Sequence, residues 1–163
     1  WDNTPRKGEK GTVFINSDTD YYKEWLKKTI DFTEQNNAEN EKILFINAWN
    51  EWGEGNHLEP DEKNNLEYLI NTQKAINDGK YKYENLRKAE ELIEKEELEK
   101  ATQILYKLLE LYPENIDVLN DLIVVSILEN KIKDALDNIK KVLLLDPANE
   151  IAIENLQYVQ ENF

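Results

Sequence analysis

Ile43–Asp61 reads I-L-F-I-N-A-W-N-E-W-G-E-G-N-H-L-E-P-D, and the fold turns on how it is read. Ile43-Leu44-Phe45-Ile46 is an unbroken apolar run, the pattern of a short strand covered on both faces in a parallel sheet. The chain then becomes polar and aromatic at once, with Asn47, Trp49, Asn50, Glu51, Trp52, Glu54 and Gly55 in close succession. In α/β folds, chemistry collects where such a strand ends.

Working outward, the residues before this stretch predict a helix. Ser17 with Asp20 three residues on resembles a capping box. Tyr21, Tyr22, Trp25, Leu26, Thr29, Ile30 and Thr33 follow at helical spacing, predicting a helix from about Asp18 to Gln35 with the three aromatics in its core. A second helix is predicted from about Asn64 to Asn77, closed by Gly79. Helix, loop, buried strand and polar loop make part of a β/α repeat. Residues 1–78 therefore read as one domain, and 79–83, around Lys80-Tyr81-Lys82-Tyr83, as a linker.

From Tyr83 onward strand signals vanish and glutamate-rich amphipathic helices take over. Leu98, Ala101 and Pro113 recur 34 residues later as Ile132, Ala135 and Pro147. That is the period and punctuation of tetratricopeptide (TPR) repeats. Residues 84–163 read as two repeats and a capping helix, with helices near Tyr83–Lys95, Leu98–Leu111, Ile116–Glu129, Ile132–Leu145 and Asn149–Glu161. The Gly usual at the turn inside each repeat is Glu96 in the first and Asn130 in the second. The expected fold class is thus α/β plus all-α, helix-dominated overall.

Composition excludes several functions. There is no cysteine and one histidine, so thiolate chemistry, disulfides and multi-histidine zinc sites are excluded. The net charge is −14, with 11 basic against 16 acidic residues up to Tyr83 and 9 against 18 after it. Neither half carries the basic footprint that nucleic acid requires. No apolar run is long enough to span a bilayer. The location expected from these features is cytoplasmic.

Glu51 and Glu54 are the candidate catalytic pair. Glycosyl chemistry uses two carboxyl groups of different protonation state near one bond, and mutual repulsion with burial among aromatics separates such groups. Trp49 and Trp52 can stack on a sugar ring, and Asn47 and Asn50 can bond its hydroxyls. His57 is a candidate substrate contact. Gly53 and Gly55 allow unusual backbone angles, and Glu59 and Asp61 read as residues that order the loop. No metal and no cofactor are called for.

W-N-E-W-G-E-G-N-H-L-E-P-D resembles the signature of bacterial family-99-like glycoside hydrolases, also described as WbsX-like polysaccharide biosynthesis proteins. The opening W-D-N-T-P-R resembles the segment that precedes it in that family, and the likeness runs from about Trp1 to Ala75. It implies a (β/α)₈ barrel, which needs about 250 residues, so the chain is expected to begin inside the barrel and to supply its last one or two βα units. By the same likeness, Glu51 would remove the proton of a sugar 2-hydroxyl, giving a 1,2-anhydro intermediate, and Glu54 would protonate the leaving oxygen. Trp1, Asp2, Asn3 and Arg6 would line the sugar pocket.

The expected substrate is a mannose- or rhamnose-like polysaccharide or oligosaccharide, and this chain alone is expected to be inactive. A glycosyltransferase-like role in surface or lipopolysaccharide assembly, and a non-catalytic adaptor role, stay open. The repeats imply a protein or peptide partner in their groove.

Overall fold

The computed structural model describes residues 4–163; the expected pocket positions Trp1, Asp2 and Asn3 lie outside the described residues. The chain divides into two compact units, Trp1–Tyr81 and Lys82–Phe163.

In the first unit, a short helix α1 (Thr4–Lys7) is followed by α2 (Thr19–Asn36). Asp18, not Ser17, caps α2: its carboxylate accepts from the backbone N–H of Asp20 at 2.8 Å and of Tyr21 at 3.2 Å. A carboxylate at the positive end of the helix also complements the helix dipole. The face of α2 bearing Tyr22 and Leu26 packs on the start of α3 (Glu67–Glu94). Tyr22 Oη and Thr72 Oγ1 are 2.8 Å apart, and the Tyr22 and Tyr68 rings meet edge-on at 5.4 Å. Leu26 and Ala75 are fully buried there.

The expected strand and the expected helix end also fail in this unit. Ile43–Ile46 is not a strand. Its residues alternate between exposed and half-buried, and Phe45 is 89% exposed. A strand covered on both faces needs hydrogen-bonded neighbours on each side, and no described residue pairs with this run. Nor does a helix end at Gly79, because α3 runs on to Glu94 through the expected connector Lys80–Tyr83. Gly79 serves close approach instead, since a Cβ there would lie 2.8 Å from Ile30 Cγ2 of α2.

The second unit contains the last part of α3 with α4 (Leu98–Leu111), α5 (Ile116–Leu128), α6 (Ile132–Leu145) and α7 (Glu150–Asn162). The helices lie where the apolar periodicity puts them. They also repeat: α6 starts 34 residues after α4, and α7 starts 34 residues after α5. Asn115 and Asn149 cap α5 and α7 in the same way, each accepting from the backbone N–H three residues on.

The turns inside the repeats match as well. Glu96 and Asn130 are both left-handed, at φ 58° and 59°. The N–H of Glu97 bonds to Leu92 O and that of Glu96 to Ile93 O; Lys131 to Ser126 O and Asn130 to Ile127 O repeat the pattern. This is the paired bonding that satisfies the last carbonyls of a helix. Leu119, Ile123, Ile139, Val142 and Ala152 form the core between α5, α6 and α7. Ala101 and Ala135, at equivalent repeat positions, are fully buried, as close helix contact requires.

Candidate functional site

The polar stretch after Ile46 folds into a tight hairpin. Strand β1 (Asn50–Glu51) pairs antiparallel with β2 (Asn56–His57), setting Asn50 opposite His57 and Glu51 opposite Asn56. A 3-10 turn over Trp52–Glu54 joins them, and Gly55 closes it at φ 62°, with its N–H bonded to Trp52 O at 3.1 Å. Gly55 therefore meets the conformational demand expected of it, because a side chain at that φ would be strained. Gly53 has no positive φ; a Cβ there would meet open space.

This hairpin brings Glu51 and Glu54 to one cation. Arg6 Nη2 donates to Glu51 Oε1 at 2.8 Å, and Arg6 Nε lies 3.3 Å from Glu54 Oε1. The two carboxylates thus converge rather than splay. The Glu54 side chain is 12% exposed and that of Glu51 37%, so Glu54 is the more enclosed.

Behind the pair lies an aromatic clamp that sequence spacing did not reveal. The Trp52 indole stacks on His57 with centroids 3.8 Å apart at 23°. Trp52 Nε1–H donates to Glu59 Oε2 at 2.6 Å, and His57 Nε2 lies 2.9 Å from Asp61 Oδ2. Asp61 also accepts from the side chain of Asn64 at 2.8 Å and from its backbone N–H. These bonds from Asn64, followed by the contact with His57, hold the Asp61 carboxyl well below the usual carboxylate range. Glu59 and Asp61 thus do order the loop. They do so by bonding to the two stacked rings, Glu59 to Trp52 and Asp61 to His57.

The remaining expected contacts divide. Trp49 and Asn50 are exposed, and Trp49 O accepts from the N–H groups of Leu58 at 3.0 Å and Glu59 at 2.9 Å, tying the two ends of the loop together. Asn47 lies apart from the carboxylates, on a cleft that also borders His57. Tyr21 and Trp25 are not core residues as expected: they are 75% and 61% exposed and line the same cleft. Their spacing of four on one helix was visible in the sequence, but helical spacing alone does not say which side faces the core. Among the described residues, no group of three or more His, Asp or Glu side chains is placed to hold a metal ion.

Residues 1–72 match the family model described as Glycosyltransferase WbsX. Two curated relatives, each named "Uncharacterized protein WxcX", come from Xanthomonas campestris pv. campestris strains B100 and ATCC 33913. Each is 38% identical over 76 residues, which is 47% of this chain and 11% of the relative. The chain thus spans about a tenth of the length of these relatives. No solved structure matches. The family match covers the stretch that carries the carboxylate hairpin.

Proposed function

We propose that residues 1–78 belong to a (β/α)₈ barrel glycosidase that cleaves a mannose- or rhamnose-like glycan, with Glu51 and Glu54 as its working pair. The observation that carries this is the meeting of both carboxylates at Arg6, in a hairpin fixed by Trp52 and His57. The 34-residue periodicity of α4 to α7 supports a reading of residues 84–163 as tetratricopeptide repeats that dock a protein or peptide.

In this reading Glu51 takes the proton of the sugar 2-hydroxyl. The freed O2 attacks C1 as the bond from C1 to the leaving oxygen breaks, and Glu54 delivers its proton to that oxygen. A 1,2-anhydro sugar results. Glu54, now a carboxylate, takes a proton from water while that water attacks C1. The C1–O2 bond opens, and O2 recovers its proton from Glu51. Two carboxyl groups adjacent on one hairpin suit this route, because the nucleophile comes from the substrate rather than from the far face of the ring.

A transferase reading has its own support in the printed description of the matching family. The full-length protein separates the two. Hydrolysis of a mannan or rhamnan without any sugar nucleotide, lost in Glu51→Gln and Glu54→Gln, is the outcome expected here. Turnover only with a nucleotide-sugar donor would replace this reading with the transferase.

A further inference from the structure

The two ring nitrogens of His57 differ in what surrounds them. Nε2 is 2.9 Å from Asp61 Oδ2. The bonds that Asp61 takes from Asn64 favour its carboxylate form, and a carboxylate only accepts, so the proton between the two groups sits on Nε2. Nδ1 is enclosed and meets no hydrogen-bond partner among the described residues. One nitrogen is thus engaged and the other shut away. That arrangement suits a ring that holds its neighbour rather than one that binds a sugar hydroxyl.

The neighbour is Trp52, on whose indole the imidazole lies with centroids 3.8 Å apart at 23°. An imidazole turns freely about its side-chain bonds unless its polar edge is fixed, and the bond to Asp61 fixes it. Asp61 is itself anchored in the turn before α3. Its carboxylate takes the backbone and side-chain N–H groups of Asn64, and its carbonyl takes the N–H of Asn65 at 2.8 Å. Trp52 leads the 3-10 turn that separates Glu51 from Glu54, and His57 follows Asn56, the strand partner of Glu51. The clamp therefore grips the hairpin at two points that set the spacing of the carboxylates.

We infer that Asp61 is a positioning residue for the Glu51 and Glu54 pair, acting through His57, whose ring it locks flat on Trp52. The inference rests on the glycosidase reading of the pair and adds to it a residue that works at one remove from the chemistry.

Asp61→Asn in the full-length protein tests it. The amide matches the carboxylate in shape and keeps an oxygen for the backbone N–H of Asn64, but puts an N–H donor where His57 needs an acceptor. On the glycan that the wild type cleaves, kcat falls about ten- to a hundredfold while KM stays within about twofold. In a His57→Ala background the same substitution costs nothing more, because the residue it works through is gone. A purely structural loss would lower the folded fraction, read by circular dichroism, and not kcat per folded molecule. Unchanged turnover, a rise in KM alone, or losses that multiply in the double variant overturns the inference. Nitrogen NMR supplies a readout that needs no turnover. The His57 signals, assigned by their loss in His57→Ala, show a proton held on Nε2 in the wild type and released in Asp61→Asn. Signals that Asp61→Asn leaves in place overturn the clamp. A wild type that holds this proton but cleaves neither a mannan nor a rhamnan removes the glycosidase reading, and with it the role of Asp61 in the pair, while the bond from His57 to Asp61 stands.

Discussion

The two units bury their apolar residues very differently. In Lys82–Phe163, Leu105, Leu119, Ile123, Ile139 and Val142 are all at most 1% exposed. In Trp1–Tyr81, Phe14, Ile15, Ile43 and Phe45 are each more than 60% exposed. The difference follows from what each architecture needs. A helical repeat buries its face against the next helix, a few dozen residues away along the chain. In the first unit the run Ile43–Ile46 pairs with no described strand, and Ile43 and Phe45 stay exposed. The second unit is therefore held by its own packing, and the first is organised around a loop.

The sharpest way to break this comparison is to truncate one residue in each unit. Ile123→Ala removes a fully buried side chain from the core between α5, α6 and α7 and should cost roughly 2–5 kcal/mol. Phe45→Ser removes a side chain already in solvent and should change stability by less than about 0.5 kcal/mol. Urea unfolding followed by circular dichroism reads both. Equal losses would mean that Phe45 is packed and that the contrast is false.

A smaller effect concerns charge inside the second unit. Burial first, and then the neighbouring Glu90 and Asp117, push the Asp121 carboxyl up to about 7. Its Oδ2 is buried with no hydrogen-bond partner. The folded state therefore holds this proton more tightly than the unfolded chain does. The contribution of this group to stability is greatest below pH ~4 and falls as pH rises toward 7, by at most ~1.4 kcal/mol per pH unit across that window. Asp121→Asn should flatten this slope and raise the melting temperature at pH 8. A wild-type profile flat between pH 4 and 7 would contradict it.

The smallest effect sharpens the repeat itself. Glu96 and Asn130 occupy the same left-handed turn position, but Asn tolerates that conformation better than Glu. Glu96→Gly should stabilise by up to about 1 kcal/mol and Asn130→Gly by less, measured by thermal unfolding. The reverse order would show that the two turns are not equivalent.

These contrasts also explain what could be read from the chain in advance. The helices of the second unit were legible because each buries one stripe at period 3.6 and the stripe recurs after 34 residues. In the first unit, Ile43–Ile46 carries the apolar signature of a strand without strand neighbours, so local pattern and observed structure part. The cap moved from Ser17 to Asp18 because a carboxylate competes well for the same N–H groups. Gly79 was read as a stop signal, whereas it allows Ile30 to approach. At the candidate site, residue types pointed to Glu51 and Glu54. The bridge from Arg6, the stacking of Trp52 on His57 and the hold of Asp61 on His57 are contacts across space that no spacing rule encodes.

The central claim is that Glu51 and Glu54 act on one sugar in different roles, and an aryl glycoside with a good leaving group tests it most directly. Such a group departs without help from an acid. In the full-length protein, Glu54→Gln should then keep most of its rate for the first, bond-breaking step on the aryl substrate while losing about 10²–10⁴-fold on a natural linkage. Glu51→Gln should lose a similar factor on both. If both variants fall equally on the two substrates, or if either keeps full activity on the natural linkage, the division of labour between the two carboxylates is wrong.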